Sequence, residues 1–442
     1  MYRFHAALCK ERHGHKMRKK TKYLIRRIVL LIILIALMTG AFFVISDFIN
    51  NNISGEDITE PDANIDGESK GNGQNKPDNS DNNQPKNDDD PPEKEDINIT
   101  LSAVGDIMFH PRQIWGAYDD KTDSFDFKPY FEPIKSIIEA ADIAVGNFEG
   151  TTCGDDIYEY QGYPLFNAPD EVLDAIKYAG FDVLSTVNNH TLDTRKTGVI
   201  RTIEKMDARG LAHVGTYVEK PDTRVLMQDV KGIKIAFLAY TEMLNGLESV
   251  MTPEDLDSMV NTLDETKIKE DIAYARENKA DLIVMIVHWG DEYIRTPNAR
   301  QKNWADFMLS EGIDVILGSH PHVIQDVEDT VYNDKRVFVA YSTGNFISNQ
   351  RTEEELPPQT EDGVILTLKI KKSAETGKTT IEDIDYIPTW VYRTKQEGKN
   401  TFTYRILPVM EYIESNDYPE SVKERMRRSY NDTMSKLEST NP

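Results

Sequence analysis

The sequence predicts a layered α/β domain preceded by one transmembrane helix and a disordered acidic spacer. Three observations carry this. A charge-free apolar run extends from Ile28 to Ser46, a polar low-complexity stretch follows it, and from Ile97 onward short apolar runs alternate with helix-like segments. The 442 residues carry a net charge of −24, unevenly spread: residues 1 to 27 hold ten Lys or Arg against one Glu, and residues 47 to 96 hold fifteen Asp or Glu against four Lys. So acidic a chain has no general attraction to nucleic acid, and no nucleic-acid partner is expected. Only two cysteines, Cys9 and Cys153, are present. They exclude a disulfide framework and a thiolate zinc cage, so any metal must be held by nitrogen and oxygen.

Taken in order, residues 1 to 27 form a basic tail. The 19 residues from 28 to 46 rise about 28 Å as a helix, the hydrocarbon thickness of a bilayer. Arg18, Lys19, Lys20, Lys22, Arg26 and Arg27 precede the run and Asp47 follows it, which places the N-terminus in the cytoplasm and the bulk of the chain outside. A cleaved signal peptide fits less well, because the basic region and the apolar run are both long and no Ala-x-Ala site closes them. Residues 47 to 96 are rich in Asn, Asp, Pro and Gly. They cannot bury enough apolar surface to offset ordering entropy, and read as a tether spanning roughly 40 Å.

The domain is expected over 97 to 372, with 373 to 442 as an extension packed on it and carrying a charged helix near 418 to 438. Candidate strands are 99–105, 142–146, 182–187, 234–240, 282–287, 314–317, 336–341 and 363–370. Helices are expected near 129–140, 169–179, 195–209, 264–278 and 299–311. Several strand runs are apolar throughout, as in strands covered on both faces.

What stands after each strand is more informative. Asp106 and His110 follow the first; Asn147 and Glu149 the second; Asn188, Asn189, His190 and Asp193 the third; His288, Asp291 and Glu292 the run at 282–287; His320 and His322 the run at 314–317; and Asn345 the run at 336–341. Ligands of α/β sheets bind at the carboxyl ends of strands, so these groups can converge on one crevice. Of nine histidines, three lie in the basic tail and five of the other six stand at strand exits. In His320-Pro-His322 the proline stiffens two imidazoles that can contact adjacent ions or share one. The mixed donor set suits Mn, Fe or Zn, two ions being expected with Glu149 as the bridging carboxylate. Asn147, Asn188 and Asn345 at the same edge are candidate substrate contacts. Trp289 is read as packing, and Arg295, Arg300 and Arg351 as solvated surface.

The blocks AVGDIMFH (103–110), GNFEG (146–150), NNHTLD (188–193), HWGDEY (288–293), GSHPHVIQ (318–325) and YSTGNF (341–346), in this order and spacing, resemble the CapA family of poly-γ-glutamate capsule-synthesis proteins. That resemblance implies a calcineurin-like metallophosphoesterase fold, a β-sandwich flanked by helices. It implies metal roles for Asp106, His110, Glu149, Asn189, His288, His320 and His322. It makes His190 a general acid, with Asp193 orienting its ring. It also implies membrane-embedded synthase or export subunits as partners and poly-γ-glutamate or another envelope polymer as cargo. Three residues, not one, separate Asp106 from His110, and Glu149 stands where the phosphoesterases carry Asp. Two functions therefore stay open, a capsule-assembly subunit and a metal-dependent hydrolase of envelope phosphoesters or amides.

Overall fold

The computed structural model describes residues 95 to 438, so the expected membrane span at 28–46, the basic tail and nearly all of the spacer lie outside the described residues. Among the described residues no helix is long and apolar enough to cross a membrane.

In chain order the strands are β1 (Ile97–Ile107), β2 (Tyr118–Asp119), β3 (Ser124–Phe125), β4 (Ile143–Phe148), β5 (Val183–Ser185), β6 (Ala212–Val214), β7 (Leu226–Val230), β8 (Ile233–Thr241), β9 (Leu282–His288), β10 (Val315–Ser319), β11 (Val327–Tyr332), β12 (Lys335–Ala340), β13 (Asn345–Ile347), β14 (Asp362–Lys372), β15 (Thr379–Lys395) and β16 (Phe402–Pro408). Apart from the small β2–β3 hairpin they form two sheets. The first runs β16-β15-β14-β1-β4-β5-β6, with β13 beside the end of β1; the second runs β11-β12-β10-β9-β8-β7. In each sheet the centre is parallel: β1, β4, β5 and β6 in one, β8, β9, β10 and β12 in the other.

The apolar runs have a direct cause. On β8, Ile235, Phe237 and Ala239 point into the core between the sheets, while Ala236, Leu238 and Tyr240 point outward. Outward residues of the second sheet meet the helices Glu265–Glu277 and Ala299–Glu311 through Ile268, Ile272, Ala305 and Met308. On the first sheet, Leu101 and Val145 face inward, while Ala144 and Phe148 pack outward with Val172 and Ile176 of the helix Glu171–Tyr178. The result is a helix/sheet/sheet/helix sandwich in which both faces of the central strands are covered, so alternation disappears.

Helix ends follow local chemistry. Asn298 accepts from the Gln301 amide at 2.9 Å while Gln301 returns a bond to the Asn298 backbone, and the helix stops at Gly312 with φ +102°.

The eight strand runs read from sequence all form strands, at 97–107, 143–148, 183–185, 233–241, 282–288, 315–319, 335–340 and 362–372. Unread in the sequence were β2, β3, β6, β7, β11, β13, β15 and β16. The chain from 373 onward continues the first sheet: β15 pairs with β14 from Lys372↔Thr379 to Asp362↔Trp390, and β16 follows it. The helix Glu420–Leu437 then covers Trp390 and Leu407 with Met426.

Candidate metal centre

The carboxyl ends of the parallel strands from both sheets meet at one place. Register fixes part of it: Asp106 on β1 stands opposite Asn147 on β4, and Ser319 on β10 stands opposite His288 on β9. Gly105 is needed immediately before Asp106, because a Cβ there would lie 1.9 Å from the Gly344 carbonyl oxygen. That close approach lets the Asp106 amide donate to the same oxygen at 3.0 Å and brings Asn345 alongside.

Glu149 lies at the centre, 1% exposed, with both carboxylate oxygens buried and unpartnered. Its Oε1 is 4.0 Å from His190 Nε2, 3.9 Å from His288 Nε2 and 3.8 Å from His322 Nε2. Burial, reinforced by the Asp106 charge, pushes its carboxyl well above the usual range. A carboxylate ringed by three imidazole nitrogens just beyond hydrogen-bond reach is stable only if something cationic joins them, since an uncompensated buried carboxylate is costly.

The surrounding groups point the right atoms inward. His288 places Nδ1 2.8 Å from Ser319 Oγ, while its Nε2 lies 2.9 Å from Asn189 Oδ1 and 3.2 Å from His320 Nδ1. Burial, then the neighbouring His320, holds His288 well below its usual pKa, and burial with His322 lowers His320 to about 3. Both rings are neutral at physiological pH and keep a lone pair for a ligand bond. Asp106 accepts from Asn147 Nδ2 at 2.8 Å and lies 3.2 Å from His322 Nδ1. The His-Pro-His turn is strained: His320 has φ +99° and His322 +58°, a region that side chains other than glycine rarely occupy.

Among the described residues there are two groups within each of which the donor atoms lie within 4.8 Å of one another: Asp106, Glu149 and His288 form one, and Glu292, His320 and His322 the other. Nitrogen and oxygen donors in this mixture fit divalent transition metals. His190 stands at the edge. Its Nδ1 donates to Asp193 Oδ2 at 2.7 Å, and the same oxygen accepts the Phe166 amide at 2.5 Å. The ring packs edge-on against Phe166 at 4.6 Å, so Nε2 faces Glu149.

Several expectations need correction. His110 belongs to neither donor group: its Nδ1 accepts the Asn349 amide at 3.3 Å, and the residue caps the helix Pro111–Gly116 with Gln113. Its ring borders the centre, edge-on to Phe166 at 5.1 Å, which in turn packs against His190 at 4.6 Å. Asn147, Asn188 and Asn345 are 0–2% exposed and face inward. Asn147 holds Asp106, Asn188 bonds the Phe148 carbonyl and the His190 amide, and Asn345 lies 3.1 Å from His322 Nδ1 and donates to the Thr360 carbonyl. In this fold these short amides bond neighbouring backbone and candidate metal ligands. Arg351 is not solvated surface: it is 2% exposed and paired with Glu353 and Glu361. Arg300 pairs with Glu242 and Asp291, and Arg295 with the Asp432 carbonyl. Trp289 is packed, its Nε1 bonded to the Tyr341 carbonyl. Ser319 and Phe166, which orient His288 and His190, were not read as functional; Ser319 left a signal in its place directly before His320, and Phe166 left none.

The model of the family described as bacterial capsule synthesis protein PGA_cap matches residues 100 to 350. The chain belongs to this family. All the donors above lie within that stretch. Similar relatives include the capsule biosynthesis protein CapA of Bacillus anthracis, 32% identical over 58% of this chain and 61% of its own length. Another is the PGA biosynthesis protein CapA of Bacillus subtilis, 29% identical over 65% of this chain and 71% of its own. The match therefore spans less than two thirds of the B. anthracis relative. Among solved structures, the calcineurin-like phosphoesterase YfkN of B. subtilis is 14% identical, with a TM-score of 0.35, over 77% of this chain and 98% of that one.

Proposed function

We propose that this chain is a membrane-anchored subunit of poly-γ-glutamate capsule synthesis or export, held by residues 28–46 with its folded domain outside the cell. In this reading its metal crevice binds or processes the nascent polymer beside membrane-embedded synthase or export subunits. Family membership and the CapA relatives support the pathway. The single observation that supports a working crevice is Glu149, whose two buried, unpartnered oxygens lie among three imidazole nitrogens. Asp106, Glu149, Asn189, His288, His320 and His322 would hold divalent ions, Mn, Fe or Zn by donor type. Such ions supply Lewis acidity and a water of lowered pKa.

Charge shapes what the crevice can accept. Outside the basic tail and the spacer the chain carries −22, which repels a polyanion. Recognition of an acidic polymer then falls to the crevice itself. The test is deletion of the chain in its host, with complementation by the wild type or by Glu149→Gln. Restored surface polymer with the wild type alone supports the proposal, and normal polymer in a clean deletion refutes it.

A second reading, hydrolysis of envelope phosphoesters or amides, draws on the His190–Asp193 pair. Asp193 accepts from Nδ1–H and leaves Nε2 towards Glu149, where the doubly protonated ring can deliver its Nε2 proton to a leaving oxygen and return to the Nδ1–H tautomer. Phosphoester and γ-glutamyl peptide substrates turned over with Mn²⁺ by the wild type, and not by His190→Ala, favour this reading. Stoichiometric metal without turnover leaves the binding role.

A further inference from the structure

The two donor groups differ in one respect. Asp106, Glu149 and His288 are all buried, whereas His320 and His322 share their group with an exposed carboxylate, Glu292. Nothing in the strand pattern requires a carboxylate there. It is delivered by a turn built for the purpose.

The turn begins at Trp289, anchored through Nε1 to the Tyr341 carbonyl. Gly290 follows with φ +95°, its amide bonded to Glu242 Oε2 at 3.0 Å. Tyr293 closes the turn with φ +65°, a strained value for an aromatic residue. Its amide donates to the Pro321 carbonyl at 2.8 Å. That bond is decisive, because Pro321 lies between His320 and His322: the turn bearing Glu292 is tied directly to the turn bearing the two imidazoles. The neighbouring Asp291 is occupied by Asn298 at 2.7 Å and Arg300 at 3.2 Å. Glu292 makes no ion pair with a Lys or Arg among the described residues, and sits within 4.8 Å of the two histidine donors.

We propose that Glu292 is a metal ligand, completing with His320 and His322 a second, solvent-facing cation subsite beside the buried one. The strain at His320, His322 and Tyr293 is the local cost of bringing these three donors together. Glu149, whose Oε1 is 3.8 Å from His322 Nε2, links the two subsites. The outer subsite has one anionic ligand of its own and opens to solvent, so it loads second and releases its ion first. This rests on the metal-centre reading above.

The test uses the full chain in detergent, equilibrated with Mn²⁺ and freed of unbound ion. Bound Mn²⁺ per chain is measured by plasma mass spectrometry, with titration calorimetry and electron paramagnetic resonance for ion–ion coupling. The wild type should bind two ions with coupled spectra. Glu292→Gln should bind one, uncoupled, with affinity for the second weakened at least about tenfold. Because Glu292 is exposed, the variant should melt like the metal-free wild type, which separates ligand loss from misfolding. Two ions on both proteins, or one on both, overturn the assignment of Glu292 and leave the metal centre standing. No bound ion on the wild type overturns the centre itself.

Discussion

Glu149→Gln separates two contributions that this fold combines, the cost of a buried carboxylate and the gain from the cation that answers it. Residues 95 to 438 are described, and at about 2.1 cal/mol/K per residue their unfolding entropy is about 0.7 kcal/mol/K. Mn²⁺ at one hundred times its dissociation constant stabilises by about 2.7 kcal/mol per site, a rise of about 4 °C in melting temperature for each ion the wild type binds. Glutamine keeps the shape and removes the charge that three imidazole nitrogens face at 3.8–4.0 Å. Without metal the variant should therefore melt at or above the wild-type temperature, by up to about 3 kcal/mol or 4 °C, because the desolvation cost of the carboxylate is gone. With Mn²⁺ its shift should fall below about 1 °C. Scanning calorimetry of both proteins, with and without Mn²⁺, reads all four values. A variant that melts lower without metal yet keeps the full Mn²⁺ shift would refute the argument, because Glu149 would then be a structural group satisfied by the fold alone.

Ser319→Ala should weaken Mn²⁺ binding by about 10- to 100-fold in calorimetric titration without changing ligand number, because Ser319 Oγ fixes the His288 ring from behind. Asp193→Asn should abolish the downfield Nδ1–H resonance of His190 in proton NMR while leaving metal content unchanged, since Asp193 Oδ2 is its acceptor at 2.7 Å. Arg425→Ala should destabilise the domain by about 1–3 kcal/mol in urea unfolding, because Glu361, 1% exposed, loses a partner at 2.5 Å. Adding Glu361→Gln should recover part of that loss. Burial works to raise the Glu361 carboxyl, yet Arg351 and Arg425 hold it below the usual 4.5. This contribution is therefore present above pH 4.5 and is lost as pH falls through the lower folded value; urea titrations across that range should show a shallower acid loss for Arg425→Ala than for the wild type.

How far the residues alone could be read depended on whether local pattern or long-range packing decided each case. The central strands were legible because burial on both faces leaves an apolar run, as in Leu282–Val287. β15 was not: its exposed residues Glu382, Asp383 and Asp385 resemble surface, and it is the pairing with the neighbouring strand β14 that makes it a strand. Histidines at strand exits marked the crevice, but His110 and His288 look alike in sequence. Three extra residues turn one into a helix cap, and a serine across the sheet turns the other into an inward-facing donor. Arg351 misled for the same reason, since a lone arginine reads as solvated until the buried Glu361 and the exposed Glu353 are placed beside it.

The amino-acid order by itself determined the layered architecture, the family, and the residues that arrive at the strand ends, because periodicity and strand-exit position are properties of short stretches. Only the folded arrangement decided which of those side chains meet. Register between strands far apart in sequence, the left-handed turns at His320, His322 and Tyr293, and the bond from Tyr293 to the Pro321 carbonyl set distances of a few ångströms. Coordination chemistry depends on those distances, and no local pattern encodes them.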